Sequence, residues 1–202
     1  MLLFVTLFGI NSKTKAQNTN IKNDNFWNTI DGQPIYSQGG GIFKFPDPTT
    51  GQQKYYWYGM HYKEAETYRA NPSVTQHNCT FESVSCYSST DLVNWTAERD
   101  VLTKATFSKL GKKKSWVGRL GVAYIKEIKK YAMFIQYDTK VLVALADSPT
   151  SDFEWHQQID MTTNIGTSNT GDQTVFTDED TGKSYLIYSY GKGRNKIYVS
   201  EI

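Results

Sequence analysis

The chain has 202 residues, 39% of them hydrophobic and 21% charged, with a formal net charge of +2. That is enough chain for a packed core in one or two domains. Without a dominant basic stripe it argues against nucleic acid as a partner. Aromatic content is high, with 14 Tyr, 10 Phe and 5 Trp, which suits β-structure and surfaces where flat rings stack on sugars.

Residues 2–10, from Leu2 to Ile10, form an apolar run that is too short to span a bilayer, so no stable membrane insertion is expected. Residues 1–17 read as a secretory signal-like segment, with cleavage near Ala16 or Gln17. The alternative is a buried N-terminal strand. Export implies a secreted or periplasmic protein whose folded part is residues 18–202. Residues 18–36 read as an irregular leading segment with a turn at Asp31-Gly32.

Gln38-Gly39-Gly40-Gly41-Ile42-Phe43-Lys44-Phe45 comes next, a glycine triplet running into an alternating strand. Three glycines give up packing and chain entropy. Either they form a bulge at a sheet corner, or they admit a ligand or another backbone close to the chain. Lys54-Tyr55-Tyr56-Trp57-Tyr58-Gly59 then reads as a strand made almost wholly of aromatics.

Cys79 and Cys86 are seven residues apart. In an exported protein they permit a disulfide closing a hairpin loop, and a free, buried Cys86 is the other reading. Asn78-Cys79-Thr80 and Asn94-Trp95-Thr96 match the glycosylation sequon, which matters only in a eukaryotic secretory pathway. Lys112-Lys113-Lys114 reads as a solvated loop.

Two patterns recur. Tyr55-Tyr56-Trp57-Tyr58, Tyr131-Ala132-Met133-Phe134-Ile135 and Tyr185-Leu186-Ile187-Tyr188 each follow a polar turn. The segments Val84–Trp95 and Val143–Trp155 each carry an apolar strand, a Ser/Asp/Thr turn and a Trp on the next strand. The strands predicted are 40–46, 54–60, 83–88 and 92–97, then 121–126, 130–138, 141–147 and 152–158, then 172–177, 184–190 and 196–202. No helical period of useful length appears. Repeating four-stranded units signal an all-β fold, a β-propeller, with a β-sandwich as the alternative. Trp57, Trp95 and Trp155 read as packing between sheets. Tyr131 to Trp155 is a step of 24 residues, and the same step from Tyr185 passes Ile202. The third unit is therefore expected to lack its fourth strand, as in an N-terminal part of a longer propeller.

The stretch Trp27–Ile42 resembles the opening of glycoside hydrolase family 43, five-bladed propeller enzymes, and is most similar to the branch of the exo-β-1,3-galactanases. Lys54–Gly59 is similar to that branch's next strand, Tyr87–Trp95 to its outer-strand motif, and Asp172–Tyr188 to its third-blade opening. The resemblance runs in order over residues 27–202 and implies about two and a half blades of a five-bladed propeller. It also implies an inverting glycosidase acting on plant or microbial polysaccharide: galactan-like chains, or other hemicellulose and pectin side chains. In inversion one carboxylic acid protonates the leaving oxygen. A base activates water on the other face of the sugar, about 6.5–9.5 Å away.

By this resemblance Asp172 is the third carboxylate, which orients the acid and tunes its pKa. An ionised Asp beside a second carboxyl keeps that partner protonated. A turn-capping Asp is the structural alternative. No carboxylate stands on the first inner strand, and the branch's His before the glycines is Gln38 here. Its Glu-Arg-Pro-Lys-Val stretch is Gly118-Arg119-Leu120-Gly121-Val122, so the Glu becomes Gly118. The general acid is expected beyond Ile202, which would leave this chain inactive by itself.

Candidates for binding the oligosaccharide or polysaccharide substrate are Gln38, Gly39, Gly40, Trp116 and Arg119. Trp116 either stacks on a sugar or packs in the core. Arg119 either makes a salt bridge across the channel or donates a bidentate hydrogen bond to vicinal hydroxyls or a uronate. Glu64, Glu66, Glu82, Glu98 and Asp100 read as outer-loop residues without a catalytic part. His61, His77 and His156 lack ligand spacing, and the Asp178-Glu179-Asp180 turn lacks the rest of a calcium loop, so neither metal nor cofactor is expected. The missing base leaves open a second class of function, a non-catalytic propeller that binds glycans.

Overall fold

The computed structural model describes residues 18–108, 116–166, 170–190 and 194–202. The signal-like segment and Lys112–Lys114 lie outside the described residues.

Eleven strands form three antiparallel sheets among the described residues. The first sheet holds β1 (Gln38–Pro46), β2 (Gln53–Tyr62), β3 (Phe81–Ser89) and β4 (Thr96–Thr103) in sequence order. The second repeats the plan with β5 (Val117–Ile125), β6 (Lys130–Tyr137), β7 (Lys140–Ala146) and β8 (Glu154–Ile159). The third has β9 (Thr170–Thr177), β10 (Ser184–Tyr190) and β11 (Lys196–Glu201). The first strand of each sheet lies inward, with β5 against both β1 and β9. These are successive blades of a β-propeller, two of four strands and one of three.

The fourth strand of the first blade starts later than the sequence pattern suggests, at Thr96 instead of 92. Asp91 is the reason. Its carboxylate accepts the backbone N–H groups of Val93 at 2.9 Å and Asn94 at 2.8 Å. Leu92 turns into the left-handed region at φ 64°. This turn uses up residues 89–95, so Trp95 precedes the strand. Three short helices, α1 (Lys63–Ala70), α2 (Lys104–Ser108) and α3 (Thr162–Ile165), also go unannounced by periodicity. The longest of them, α1, buries no residue, so it has no apolar stripe to read.

Three clusters hold the blades together. Tyr58, Met60, Val84, Leu120, Met133 and Ile135 pack between the first and second blades. Two tyrosine hydroxyls cross that seam: Tyr58 donates to the Pro149 carbonyl at 2.7 Å and Tyr62 to the Val117 carbonyl at 2.5 Å. Burial raises the Tyr62 pKa to about 12, so the hydroxyl remains a donor at any physiological pH. Ala123, Phe134, Val143, Val175, Leu186 and Tyr188 fill the seam between the second and third blades. There a Cβ added to Gly121 would overlap the backbone nitrogen of Val175. The two inner strands touch at that point.

The third cluster corrects the expected role of the tryptophans. Trp95 is fully buried with Tyr87 and Ile35, and Trp27 and Trp57 pack against them. The leading segment thus seals the first blade, instead of one sheet packing on the next. The Ile30 N–H donates to the Trp95 carbonyl at 2.9 Å, and the Tyr36 N–H donates to the Tyr87 hydroxyl at 3.0 Å. Trp155 is 40% exposed on the outer strand β8. Cys79 is exposed and Cys86 buried, and both are free thiols. Burial pushes the Cys86 thiol well above its ordinary pKa, which makes it unreactive.

Two outcomes are expected. Gly121→Ala must separate β5 from β9, at a cost of about 1–3 kcal/mol typical of overpacking. A lower urea midpoint at unchanged slope would show it, and an unchanged midpoint would contradict the contact. The second concerns Asp91, whose carboxyl is held below the usual range, first by the Asn94 N–H. A depressed native pKa contributes stability above the unfolded pKa of about 4, and that stability is lost as pH falls further. Unfolding curves between pH 5 and pH 2 should therefore fall less steeply for Asp91→Asn than for the native chain. Parallel curves would remove Asp91 as a source of acid sensitivity.

Candidate active site

Alternation along the inner strands leaves one face of each open. On β1 the exposed positions are Gln38, Gly40, Ile42 and Lys44. On β5 they are Arg119 and Tyr124, and on β9 they include Asp172, Thr174 and Phe176. The three strands therefore present Gln38, Arg119 and Asp172 at their starts, and Ile42, Lys44, Tyr124 and Phe176 further along.

At those starts the blades are tied by charge. Arg119 Nε lies 3.6 Å from Asp172 Oδ1, joining β5 to β9. Arg194, from the connection between β10 and β11, brings Nη1 to 3.1 Å from the same oxygen. All three side chains are about half exposed. Ion pairs this exposed contribute roughly 0–1 kcal/mol each. Their effect is to orient the carboxylate through Oδ1.

The glycine triplet lies beside this cluster. Gly39 adopts φ +68°, a left-handed conformation. A Cβ there would lie 3.5 Å from Arg119 Cδ and 2.9 Å from Met60 Cε. The pairing of β1 with β2 slips between Gln38 and Gly41, so the triplet is a bulge. A Cβ on Gly40 would overlap the Tyr58 carbonyl oxygen. The backbone that comes so close at Gly40 is that of β2. Both sequence readings of the triplet hold at once: a bulge, and a close approach of chain to chain. Gln38 stands exposed at the strand's beginning, opposite Met60.

Trp116 is 43% exposed just before β5. Its N–H donates to Asp138 Oδ1 at 2.9 Å, and the Asp138 N–H donates back to its carbonyl at 2.9 Å. Its indole covers Gly118: a Cβ on Gly118 would overlap ring carbon Cη2. A glutamate at 118 and this placement of the ring exclude each other. The structure thus brings Arg119, Asp172 and Gly39 together, sets Trp116 over Gly118 next to them, and leaves Gln38 and Gly40 on the same edge of β1.

Arg194 is the residue that sequence reading missed. It lies just before β11, and no sequence motif marks that position as reaching the inner strands. The other carboxylates have structural partners. Glu98 meets Lys54 and Ser88, Glu82 meets Lys104, Asp100 meets Ser85, and Glu64 accepts from Thr80. Glu82, Glu98 and Asp100 stand on strands β3 and β4, and Glu64 and Glu66 on α1, instead of in loops. Asp178 caps its own turn through the Asp180 N–H and the Thr181 hydroxyl. Among the described residues no group of three or more His, Cys, Asp or Glu side chains converges as a metal site would require.

A cavity of about 1110 Å³ opens at the other end of the inner strands, lined by Ile42, Tyr124, Val175 and Phe176 among others. None of the six candidate residues lines it. Apolar residues share its walls with Lys44, Lys126 and Lys129 and with four carboxylates, Asp47, Asp147, Asp178 and Glu179.

Comparison with known proteins bears on both fold and site. No curated protein matches the chain in sequence. An exo-β-1,3-galactanase from Clostridium thermocellum superposes with a TM-score of 0.69 at 23% identity, over 90% of this chain and 38% of that one. A β-1,3-galactosidase solved with galactodeoxynojirimycin gives 0.65 at 20% identity, over 90% and 62%. The exo-β-1,3-galactanase of Phanerochaete chrysosporium, solved with β-1,3-galactotriose, gives 0.65 at 23% identity, over 88% and 38%. The chain spans 38% to 62% of the length of these structures. At this identity the likeness shows the fold. The family model described as glycosyl hydrolases family 43 matches residues 44–202, which is most of the chain and includes the inner strands that carry Arg119 and Asp172, and the chain belongs to that family.

Proposed function

We propose that the protein is an exported, inverting glycoside hydrolase that cleaves glycosidic bonds in plant or microbial polysaccharide, with galactan-like chains as its leading substrates. The observation that carries this reading is Asp172, exposed at the opening of an inner strand and fixed through Oδ1 by two arginines. A carboxylate held there by two arginines is oriented toward the inner strands' openings. In that place it keeps a second carboxyl protonated and aimed at the leaving oxygen. Gln38, Gly39 and Gly40 form the edge against which a sugar ring lies. Trp116 offers its ring face, and Arg119 donates to sugar oxygens.

Inversion needs two carboxyl-like groups across the sugar, and this cluster holds only Asp172. Asp172 in its orienting role is neither of them, so acid and base both come from residues outside the cluster, and this chain alone is expected to bind sugar without cleaving it. Family membership supports the reaction class, and the galactotriose complex of the Phanerochaete enzyme supports the choice of sugar.

Two measurements test the proposal. The 202-residue chain is incubated with aryl glycosides and β-1,3-galactan oligosaccharides, and no sugar should be released. Release that Asp172→Asn abolishes would contradict the assignment of the acid elsewhere. In a form of the protein extended to the length of the family's solved structures, hydrolysis should appear. There Asp172→Asn should lower kcat by about 10²-fold or more, the scale of a lost acid–base contribution. Unchanged kcat in that variant would make Asp172 a structural turn residue, and no hydrolysis of any glycan would favour a binding module.

A further inference from the structure

We infer that the subsite at the start of the inner strands selects a sugar carrying a carboxylate, a uronic acid. The inference rests on the reading of this edge as a sugar site and names the class of sugar it takes.

Two guanidinium groups meet one carboxylate here. Arg119 and Arg194 both address Oδ1 of Asp172, at 3.6 and 3.1 Å. Each guanidinium has five N–H donors in a planar fork, so one shared oxygen leaves most of both forks unused by Asp172. Asp138 accepts the Trp116 N–H, Asp160 pairs with Lys140 at 3.5 Å, and Glu66 lies 2.9 Å from His61 Nε2. Gly118, next to Arg119, has no side chain and admits none under the Trp116 ring. The cluster therefore carries one net positive charge.

Geometry favours a carboxylate over a simple hydroxyl. Both arginines are about half exposed, open to a ligand yet close enough to act together. A planar carboxylate matches a guanidinium with two parallel hydrogen bonds, and charge-assisted bonds are about twice as strong as neutral ones. Trp116 supplies an exposed aromatic face three residues before Arg119 for the ring of the same sugar. Arg194 would thus set specificity, drawing the acidic group to the guanidinium donors that Asp172 leaves unused.

The test uses binding alone, by calorimetry at low salt on the 202-residue chain. The probes are β-glucuronosyl-galactose, the same disaccharide with a neutral glucosyl unit, and its 6-sulfated neutral form. The uronate should bind at least tenfold more tightly than the neutral sugar and more tightly than the sulfate, whose tetrahedral oxygens do not match the planar fork. Raising salt should weaken the uronate most. Arg194→Gln should reduce the uronate-to-neutral ratio to below about threefold while the unfolding midpoint stays put, because the ion pair it removes is exposed. Equal affinity for uronate and neutral sugar, a preference for sulfate, or a ratio untouched by Arg194→Gln would each overturn the inference while leaving a sugar site. Failure to bind any of the three would remove the sugar site itself, and the inference with it.

Discussion

Everything at the candidate site depends on how closely β5 and β9 approach each other. Gly121 has no Cβ, and the backbone of Val175 fills the space one would need. This contact fixes the relative height of two inner strands. Arg119 lies two residues before Gly121 and Asp172 three before Val175, so the same register carries the guanidinium to the carboxylate. The buried residues of that seam, Ala123, Phe134 and Val175 among them, supply the apolar burial that makes the contact stable. The exposed ion pair at its end adds little stability and much orientation. Packing thus builds the site, and charge then trims it.

The glycine triplet performs the corresponding task on the first blade. At Gly40 the backbone of β1 lies against the Tyr58 carbonyl, and at Gly39 it bends through a left-handed residue beside Arg119. The side chain of Tyr58 meanwhile crosses to the second blade and donates to Pro149. One short stretch therefore couples the bulge, the seam between blades and the arginine that faces the site.

Much of this could be read from residues alone. Alternating aromatics and polar turns announced eleven strands and their grouping, because a strand buried on both sides shows in sequence as an apolar run between turns. The opening of β1 was marked by its glycine triplet, and Arg119 and Asp172 by the resemblance of their stretches to family 43. What escaped had no periodic signature. Helix α1 buries nothing, and the Asp91 turn moves a strand boundary through a side-chain cap. Arg194 reaches Asp172 from a position just before β11 that only the third dimension brings back to the axis. The tryptophans illustrate a different limit. Their recurrence was visible, but the partner that buries Trp95 is the irregular segment around Ile30 and Ile35, and no pattern within a blade could name it.

The central claim is that sugar binds at the starts of the inner strands, between the Trp116 ring and the Asp172 carboxylate, and not in the cavity at their other end. Chemical-shift mapping of the labelled chain with a β-linked galactose disaccharide distinguishes the two directly. The account predicts saturable shifts at the backbone amides of Gly39, Gly40, Arg119 and Asp172 and at the Trp116 indole, with Ile42, Tyr124 and Phe176 undisturbed. Shifts confined to Ile42, Tyr124 and Phe176 would place the ligand in the opposite cavity and contradict it.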